Sequence, residues 1–446
     1  MTFQRPRGTR DFLPEESWRR SEARRAMQDL LERWGYQEIV TPTFEHLELF
    51  TLKSGDAVVE EIYAFKDKGG RDLALRPELT APVMRMYVNE LQNAPKPLRL
   101  YYYGNCFRYE RPQRGRFREF WQVGVELIGG LKSDSEAEVI ALADKTLKSV
   151  GIDGDIHVGY LGLIRSLLAK IAPAHRPYVM RMVDKKERKN LKEFLETIGA
   201  DHLGILELID FKGKPALDKA IEISRDLKVT EEEAKIDKLN SNAEPLKGPS
   251  VVGRTSVRLS KERKAELGLD EFQDMVDLLK GYGIEFTIDF EIVRGLEYYS
   301  GTVFEIYASG LGAQNQICGG GSYELASLFG GVETNSTGFG LGFDRVMEIV
   351  QTKSVKIPPI FLAFTPDVKT EAISMALKLR QKLPIVIDVM GRTLGAQLKS
   401  AGNSGSEYVI IVGKDELNSG KLTMRDMNSG QQRSLSLEEI EMEFGQ

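Results

Sequence analysis

Apolar residues recur at helical spacing across 14–34, with Trp18, Met27, Leu30, Leu31 and Trp34 on one side and Gly35 as the stop, which predicts a first helix. Residues 37–44 then predict a strand, and Pro42, which cannot donate a ladder hydrogen bond, puts it at a sheet edge or interrupts it. Thr80 reads as the N-cap of a second helix, with Pro82 in its first turn and Met84, Tyr87, Val88 and Leu91 on its apolar side. Between 98 and 128 the pattern becomes two β runs around a Pro- and Gly-containing loop at 111–115, a long hairpin. Lysine and glutamate dominate 172–263, where helical stretches at 185–198 and 214–227 predict an inserted helical module. Strand character returns at 285–290 and 302–307, and glycine-rich turns lead into a helix at 343–350. The paired prolines of 353–359 predict a linker. Beyond it, strands at 360–364, 384–389 and 408–412 alternate with helices at 368–383 and 394–401, and two short strands flank the turn 428–430, giving a small α/β domain.

Composition bounds this picture. At 446 residues the chain exceeds the roughly 250–300 at which a single core stops growing, so two or three domains are expected. No apolar run approaches the roughly 18 residues of a membrane span, and the first ten residues lack a signal peptide's apolar stretch, so a soluble cytoplasmic protein is expected. Cys106 and Cys318 are the only cysteines, which excludes a disulfide framework and a four-cysteine zinc site. The histidines, His46, His157, His175 and His202, never fall at metal-helix spacing, so no zinc is expected. A net charge of −5 argues against a globally basic nucleic-acid binder and turns attention to local charge.

That local charge lies in the hairpin. Residues 99–118 hold six arginines (Arg99, Arg108, Arg111, Arg114, Arg116, Arg118), no lysine and one carboxylate, Glu110. Guanidinium offers a planar fork matched to phosphate or carboxylate, although a solvated hairpin tip would also be basic. On the returning strand, alternation sends Phe120, Gln122, Gly124, Glu126 and Ile128 to one face and the apolar Trp121, Val123, Val125 and Leu127 to the other. An amide and a carboxylate are thus separated by a glycine that leaves room between them, and Arg108 shares parity with Cys106, Gly104 and Tyr102 on the preceding strand. A second group, 291–305, packs Arg294, Tyr298, Tyr299 and carboxylates between strands, a combination suited to a polar planar ligand. In a third, Cys318-Gly319-Gly320-Gly321, missing side chains let backbone approach a ligand or leave a flexible loop. The fourth, Gly338 to Arg345, is a glycine-alternating strand entering a helix; its G-x-G-x-G spacing fails the dinucleotide fingerprint, and no Walker phosphate loop occurs.

Taken in order, these segments resemble the three signatures of class II aminoacyl-tRNA synthetases: the helix and strand ending at Pro42, Phe107-Arg108-Tyr109-Glu110 through Glu126, and Gly338 to Arg345. Arg294-Gly-Leu-Glu-Tyr298-Tyr299, Cys318-Gly-Gly-Gly-Ser-Tyr323 and Arg76-Pro-Glu78-Leu-Thr80 resemble segments of the histidyl-tRNA synthetase family. The resemblance implies an α+β catalytic domain with a mainly antiparallel sheet flanked by helices (1–171 and 264–352), a helical insertion (172–263) and a C-terminal α/β anticodon-binding domain (353–446). It implies ATP-dependent ligation of histidine to tRNA(His) through a histidyl-adenylate, with Mg²⁺ accompanying ATP, in a homodimer. Arg108 and Arg294 would be the catalytic cations; Arg108, Glu110 and Arg345 would bind ATP. Glu78, Thr80 and Gln122 would hold the amino and carboxylate groups of histidine, which Arg294 also approaches, and Glu126, Tyr298 and Tyr299 would surround its imidazole. Arg111, Gln113, Arg114 and Arg116 would meet the tRNA acceptor end. Glu297, Ser322 and Glu324 depart from the family's commoner residues.

Two rivals stand beside this reading: a synthetase-like module that senses histidine or tRNA without ligating them, and a class II synthetase for glycine, proline or threonine, which share the C-terminal domain type. Retention of Arg108, Arg294 and Arg345 together with a full C-terminal domain favours an enzyme over the sensing module.

Overall fold

The computed structural model describes residues 3–54, 56–109, 117–200, 204–224, 269–293, 299–312, 315–351 and 359–445. The chain separates into two compact units, Met1–Thr352 and Lys353–Gln446. Among the described residues no helix is long and apolar enough to cross a membrane.

The first helix runs Pro14–Arg33, with proline and two glutamates in its first turn and Arg33 in its last, charges that suit the helix dipole. Gly35, at φ 81°, takes the left-handed conformation that ends it. The chain then gives only a two-residue strand, β1 (Gln37–Glu38), and Pro42 separates it from β2 (Phe44–His46). With β3 (Ala64–Lys66) and β4 (Asp72–Leu75), β2 forms a small antiparallel sheet in the order β2-β4-β3. Buried Arg76 follows β4 and donates to the Thr41 carbonyl (2.7 Å) and the Asn105 carbonyl (2.8 Å), tying this sheet's exit to the main one.

The main sheet adds β5 (Leu98–Phe107), β6 (Glu119–Ile128), β7 (Asp155–Tyr160), β8 (Thr287–Ile288), β9 (Tyr299–Tyr307), β10 (Gln316–Tyr323) and β11 (Ser336–Gly342). Its order is β1-β5-β6-β11-β10-β9-β7-β8. Pairing is antiparallel from β5 across to β7, and only the two edge strands run parallel to their neighbours. One face is covered by the helix Lys132–Lys148, buried along most of its length and packed on β6, β9, β10 and β11, with the helix Leu269–Gly281 against it. The expected strand at 285–290 shrinks to β8 because residues 289–291 turn away to form ion pairs.

Those pairs join the sheet to the inserted helices Arg176–Asp184, Arg188–Thr197, Ile205–Asp210 and 214–224. Arg188 (3.0 Å) and Lys212 (3.1 Å) bind Glu291, Lys212 also binds Asp289, and the Gly213 N–H donates to the Ile288 carbonyl at 2.7 Å. His157 of β7 bridges Asp289 (2.9 Å) and Asp155 (3.0 Å). Although burial works the other way, bonds from His157 and Lys212 hold Asp289 down to about 2. The apolar residues of these helices continue the cluster beneath the sheet.

In the second unit β12 (Ile360–Phe364), β13 (Ile385–Ile387), β14 (Tyr408–Val412), β15 (Leu422–Asp426) and β16 (Gln432–Leu435) form a sheet in the order β13-β12-β14-β15-β16. The first three are mutually parallel and the last two antiparallel. Helices Lys369–Leu379 and Leu437–Phe444 cover one apolar cluster and Leu394–Asn403 the other. The buried Gln397 side chain donates to the Phe364 carbonyl and accepts from its N–H, both at 3.0 Å, finishing the ladder at the end of β12.

Candidate active site

The exposed face of the main sheet is shaped by what its strands lack. Register sets Gly104 of β5 opposite Gln122, Gly340 of β11 opposite both Gly124 and Gly319, and Gly338 opposite both Glu126 and Gly321. A Cβ on Gly340 would meet nothing nearer than Gln122 Nε2 at 3.7 Å, so bare backbone floors a cleft there. The cleft encloses about 200 Å³. Arg108 and Arg345 stand in its walls with Phe120, Trp121 and Gln122, while Cys318 and Gly319 contribute from β10.

Each wall is held by its own local structure. The Arg108 N–H donates to the Arg118 carbonyl across the hairpin (2.9 Å), its Nε donates to the Pro77 carbonyl (2.9 Å), and its guanidinium lies 5.2 Å from the Phe120 ring centre. Arg345, in the first turn of the helix Phe343–Ile349, donates to the Gln316 carbonyl. The intervening Asp344 is buried and accepts from the Trp121 N–H (2.6 Å), Arg20 (2.8 Å) and Arg10. Gln122 accepts from the Cys106 thiol at 3.3 Å, a group whose burial pushes its pKa up to about 12 and keeps it a donor.

Four residues from Gln122 along the same face, roughly 13 Å at the rise of a strand, lies Glu126. It has no exposed surface and accepts from the hydroxyls of Tyr102 (3.4 Å), Tyr323 and Thr80. Burial raises its carboxyl to about 8, against the pull of those hydroxyls and with the push of nearby Glu78. Burial likewise raises Glu78, against the N–H groups of Ala81 and Thr80 and the charge of Arg108. Glu78 therefore stands electrostatically between the cationic cleft and the Glu126 pocket. Its carboxylate takes the Thr80 N–H (2.5 Å) and the Ala81 N–H (3.0 Å) and so caps the helix Thr80–Met86, the role the sequence assigned to Thr80. Tyr299 is buried with its ring 6.4 Å from that of Tyr323, and thus borders the pocket through Tyr323.

Arg108, Arg345 and Gln122 accordingly share one cleft, and Glu78, Thr80 and Glu126 one hydrogen-bonded pocket beside it. Glu110, Arg111, Gln113, Arg114, Arg116, Arg294 and Tyr298 lie outside the described residues. Two expectations are corrected. The room beside Gly124 is filled by the Tyr102 hydroxyl, so the glycine admits a neighbouring side chain instead of a ligand. The Cys318–Gly321 segment is neither loop nor turn but the centre of β10: a Cβ on Gly320 would collide with the Gly338 carbonyl and Phe304, and of the three glycines it is Gly319 that lines the cleft. Ser322 points to the opposite face, donating to buried Glu136 (2.6 Å), and Glu324 is exposed. Tyr102, Tyr323 and Asp344 were not singled out from sequence. Tyr102 shares strand parity with Arg108, and Tyr323 ends the triple-glycine motif, but only the fold shows that both hydroxyls converge on Glu126.

A glycine-floored antiparallel sheet between arginine walls, fed by a long helix and a proline-broken edge strand, is the catalytic architecture of class II aminoacyl-tRNA synthetases. The family described as Histidyl-tRNA synthetase matches residues 8–346, and the family described as Anticodon binding domain matches residues 354–445. A histidine–tRNA ligase of Methanosarcina acetivorans is 51% identical over 99% of this chain and 98% of its own length. One of Archaeoglobus fulgidus is 45% identical over 99% of both. The crystal structure of the histidyl-tRNA synthetase of Nostoc sp. PCC 7120 shares the fold, at a TM-score of 0.75 and 23% identity over the full length of both chains. This chain belongs to the histidyl-tRNA synthetase family.

Proposed function

We propose that this chain ligates L-histidine to tRNA(His) in two steps, activating histidine with ATP and passing it to the tRNA. The observation that carries the reading is the buried Glu126 with its Tyr102, Tyr323 and Thr80 hydroxyls, set beside a cleft lined by Arg108 and Arg345. A neutral imidazole has one N–H donor and one ring-nitrogen acceptor, which a carboxyl and phenolic hydroxyls complement. Ligands lacking either group leave buried polar atoms unpaired, which rejects them.

In the first step the histidine carboxylate forms a bond to the α-phosphorus as the bond to pyrophosphate breaks. Charge accumulates on phosphate oxygens, where Arg108 and Arg294 would stabilise it and Arg345 would hold the nucleotide, with Glu110 near the adenine. Glu78, Thr80 and Gln122 would orient the amino and carboxylate groups, and Tyr298 and Tyr299 would complete the imidazole pocket. No side-chain nucleophile is required. In the second step the terminal ribose hydroxyl of the tRNA attacks the acyl carbon and AMP leaves, with Arg111, Gln113, Arg114 and Arg116 meeting the acceptor end.

Mg²⁺ would arrive with ATP. Among the described residues lining the cleft Asp344 is the one carboxylate, and it already accepts from Arg10, Arg20 and the Trp121 N–H. The lining therefore does not make a metal site by itself, and among the described residues no group of three or more histidine, cysteine or carboxylate side chains does.

The division into a catalytic domain (1–171 and 264–352), a helical insertion (172–263) and an anticodon-binding domain (353–446), assembly as a homodimer and a cytoplasmic location belong to the same proposal. The sensing-module alternative is disfavoured by ligases that match this chain over nearly its whole length. Charging of a tRNA(His) transcript tests the function. Histidine should be esterified to it, and a transcript lacking the extra 5′ nucleotide that marks the acceptor end of histidine tRNAs should be charged at least ~10-fold more slowly, given the loss of contacts at one recognition position. Equal charging of both would remove the acceptor-end role from the hairpin, and charging of neither would reject ligation.

A further inference from the structure

Asp344 presents a problem for a polyanion site. It lies in the wall of the cleft, one residue from Arg345, and an uncompensated carboxylate there would repel a triphosphate and attract the cations meant for it. The segment before the first helix supplies part of the answer. Arg10 and Arg20 both pair with Asp344, and their guanidinium groups lie 5.0 and 4.0 Å from the Phe12 ring centre. Arg10 also lies 3.4 Å from the centre of Phe117, another residue of the cleft wall. Two residues earlier the Gly8 carbonyl accepts the Arg118 N–H at 2.9 Å, and the Arg118 carbonyl in turn accepts the N–H of Arg108. Gly8 sits at φ +87° with the Arg118 side chain against it, where a Cβ would come within 2.7 Å of Arg118 Cγ. This short segment thus reaches the supports of both cleft arginines.

We propose that Arg10 is a positioning residue for the nucleotide: with Arg20 it neutralises Asp344 and braces the Phe117–Arg118 end of the hairpin, so that the Asp344 carboxylate does not offset what Arg108 and Arg345 offer ATP. The inference rests on the assignment of this cleft to ATP. It explains why one buried carboxylate is given two guanidinium groups, and it bears on ATP more than on the imidazole, because Arg10 and Arg20 pair with Asp344 in the cleft wall whereas the hydroxyls of Tyr102, Tyr323 and Thr80 surround Glu126.

The test is steady-state pyrophosphate exchange on the full chain, varying ATP and histidine separately. Arg10→Met keeps an unbranched side chain and removes the guanidinium with its charge; it should raise KM for ATP about tenfold and leave KM for histidine within about twofold. Arg10→Lys should recover part of the loss. Adding Asp344→Asn to Arg10→Met should restore ATP binding, since the charge needing compensation is gone; a purely structural role for Arg10 would make the double variant worse. Gly8→Ala, which disturbs the Arg118 contact and leaves Arg10 in place, should also raise KM for ATP. Arg5→Met, on the same segment with only an exposed 3.8 Å pair to Asp11, should change nothing. Unaltered KM for ATP in Arg10→Met and Gly8→Ala, or a parallel rise in both substrate constants, overturns the proposal. If Arg10→Met does not fold, Gly8→Ala decides by the same criterion. Arg108→Ala guards the premise: no effect there on ATP defeats the nucleotide assignment, whereas an effect there with none at Arg10 defeats only this inference.

Discussion

Glu126 shows how a carboxyl can be kept neutral by its surroundings. Burial raises it from the ordinary 4.5 to about 8, and three hydroxyls offset only part of that cost. Between those two values the folded chain holds a proton that the unfolded chain has released, so this residue's contribution to stability is fully present below about 4.5 and lost as the pH climbs through about 8. Over the whole window the linkage amounts to a few kcal/mol, on the order of 1.4 for each pKa unit. Glu126→Gln should therefore flatten the decline of the denaturation midpoint with rising pH, as a difference from wild type measured by chemical denaturation. The same variant should raise KM for histidine about 100-fold or more and change KM for ATP little, because a bound imidazole favours the charged form of Glu126, whose carboxylate accepts the ring N–H more strongly than a neutral amide does. Identical pH slopes, or equal losses for both substrates, would remove Glu126 from the role assigned to it.

Among the strands, glycines that look alike in sequence do opposite work. Gly320 is locked between the Gly338 carbonyl and Phe304, so Gly320→Ala should lower thermal stability by several degrees, through overpacking worth roughly 1–3 kcal/mol. Gly340 opens on the cleft, so Gly340→Ala should melt with wild type and lose pyrophosphate exchange. Calorimetry and exchange on the two purified variants check the contrast; the reverse pattern would mean that the bare floor is packing and not a binding surface. This also marks what periodicity can reveal. Alternation along 119–128 gave the faces of β6 correctly, because residues on one strand need no partner to define parity. The role of the Cys318 glycines was not legible, because their neighbours, Phe304 and Gly338, come from other strands. Thr80 was read as a cap because its side-chain chemistry fits one, whereas Glu78 does the capping from two residues earlier.

At the scale of the molecule, the alternation of strand and helix after residue 359 gave the α/β class and the strands of the second unit but not their order, which is set by contacts between strands. Its charge was uninformative: eleven Lys and Arg balance eleven Asp and Glu from Lys356 onward, so any RNA contact must come from local placement. The first unit was harder, because its sheet is assembled from strands more than 200 residues apart, and the order β6-β11-β10-β9-β7 has no local signature. The proposed histidine pocket crosses that gap: Glu126 of β6 meets Tyr323 of β10 only once β11 has been laid between them. On that proposal, specificity for one amino acid is a property of the assembled sheet. Pyrophosphate exchange by the full chain, run with ATP and each of the twenty amino acids in turn, tests that claim most directly. Histidine alone should support exchange, with every other amino acid at least ~10⁴-fold weaker in kcat/KM. Comparable exchange with glycine, proline or threonine, or no histidine-dependent exchange by folded protein that binds ATP, would contradict it.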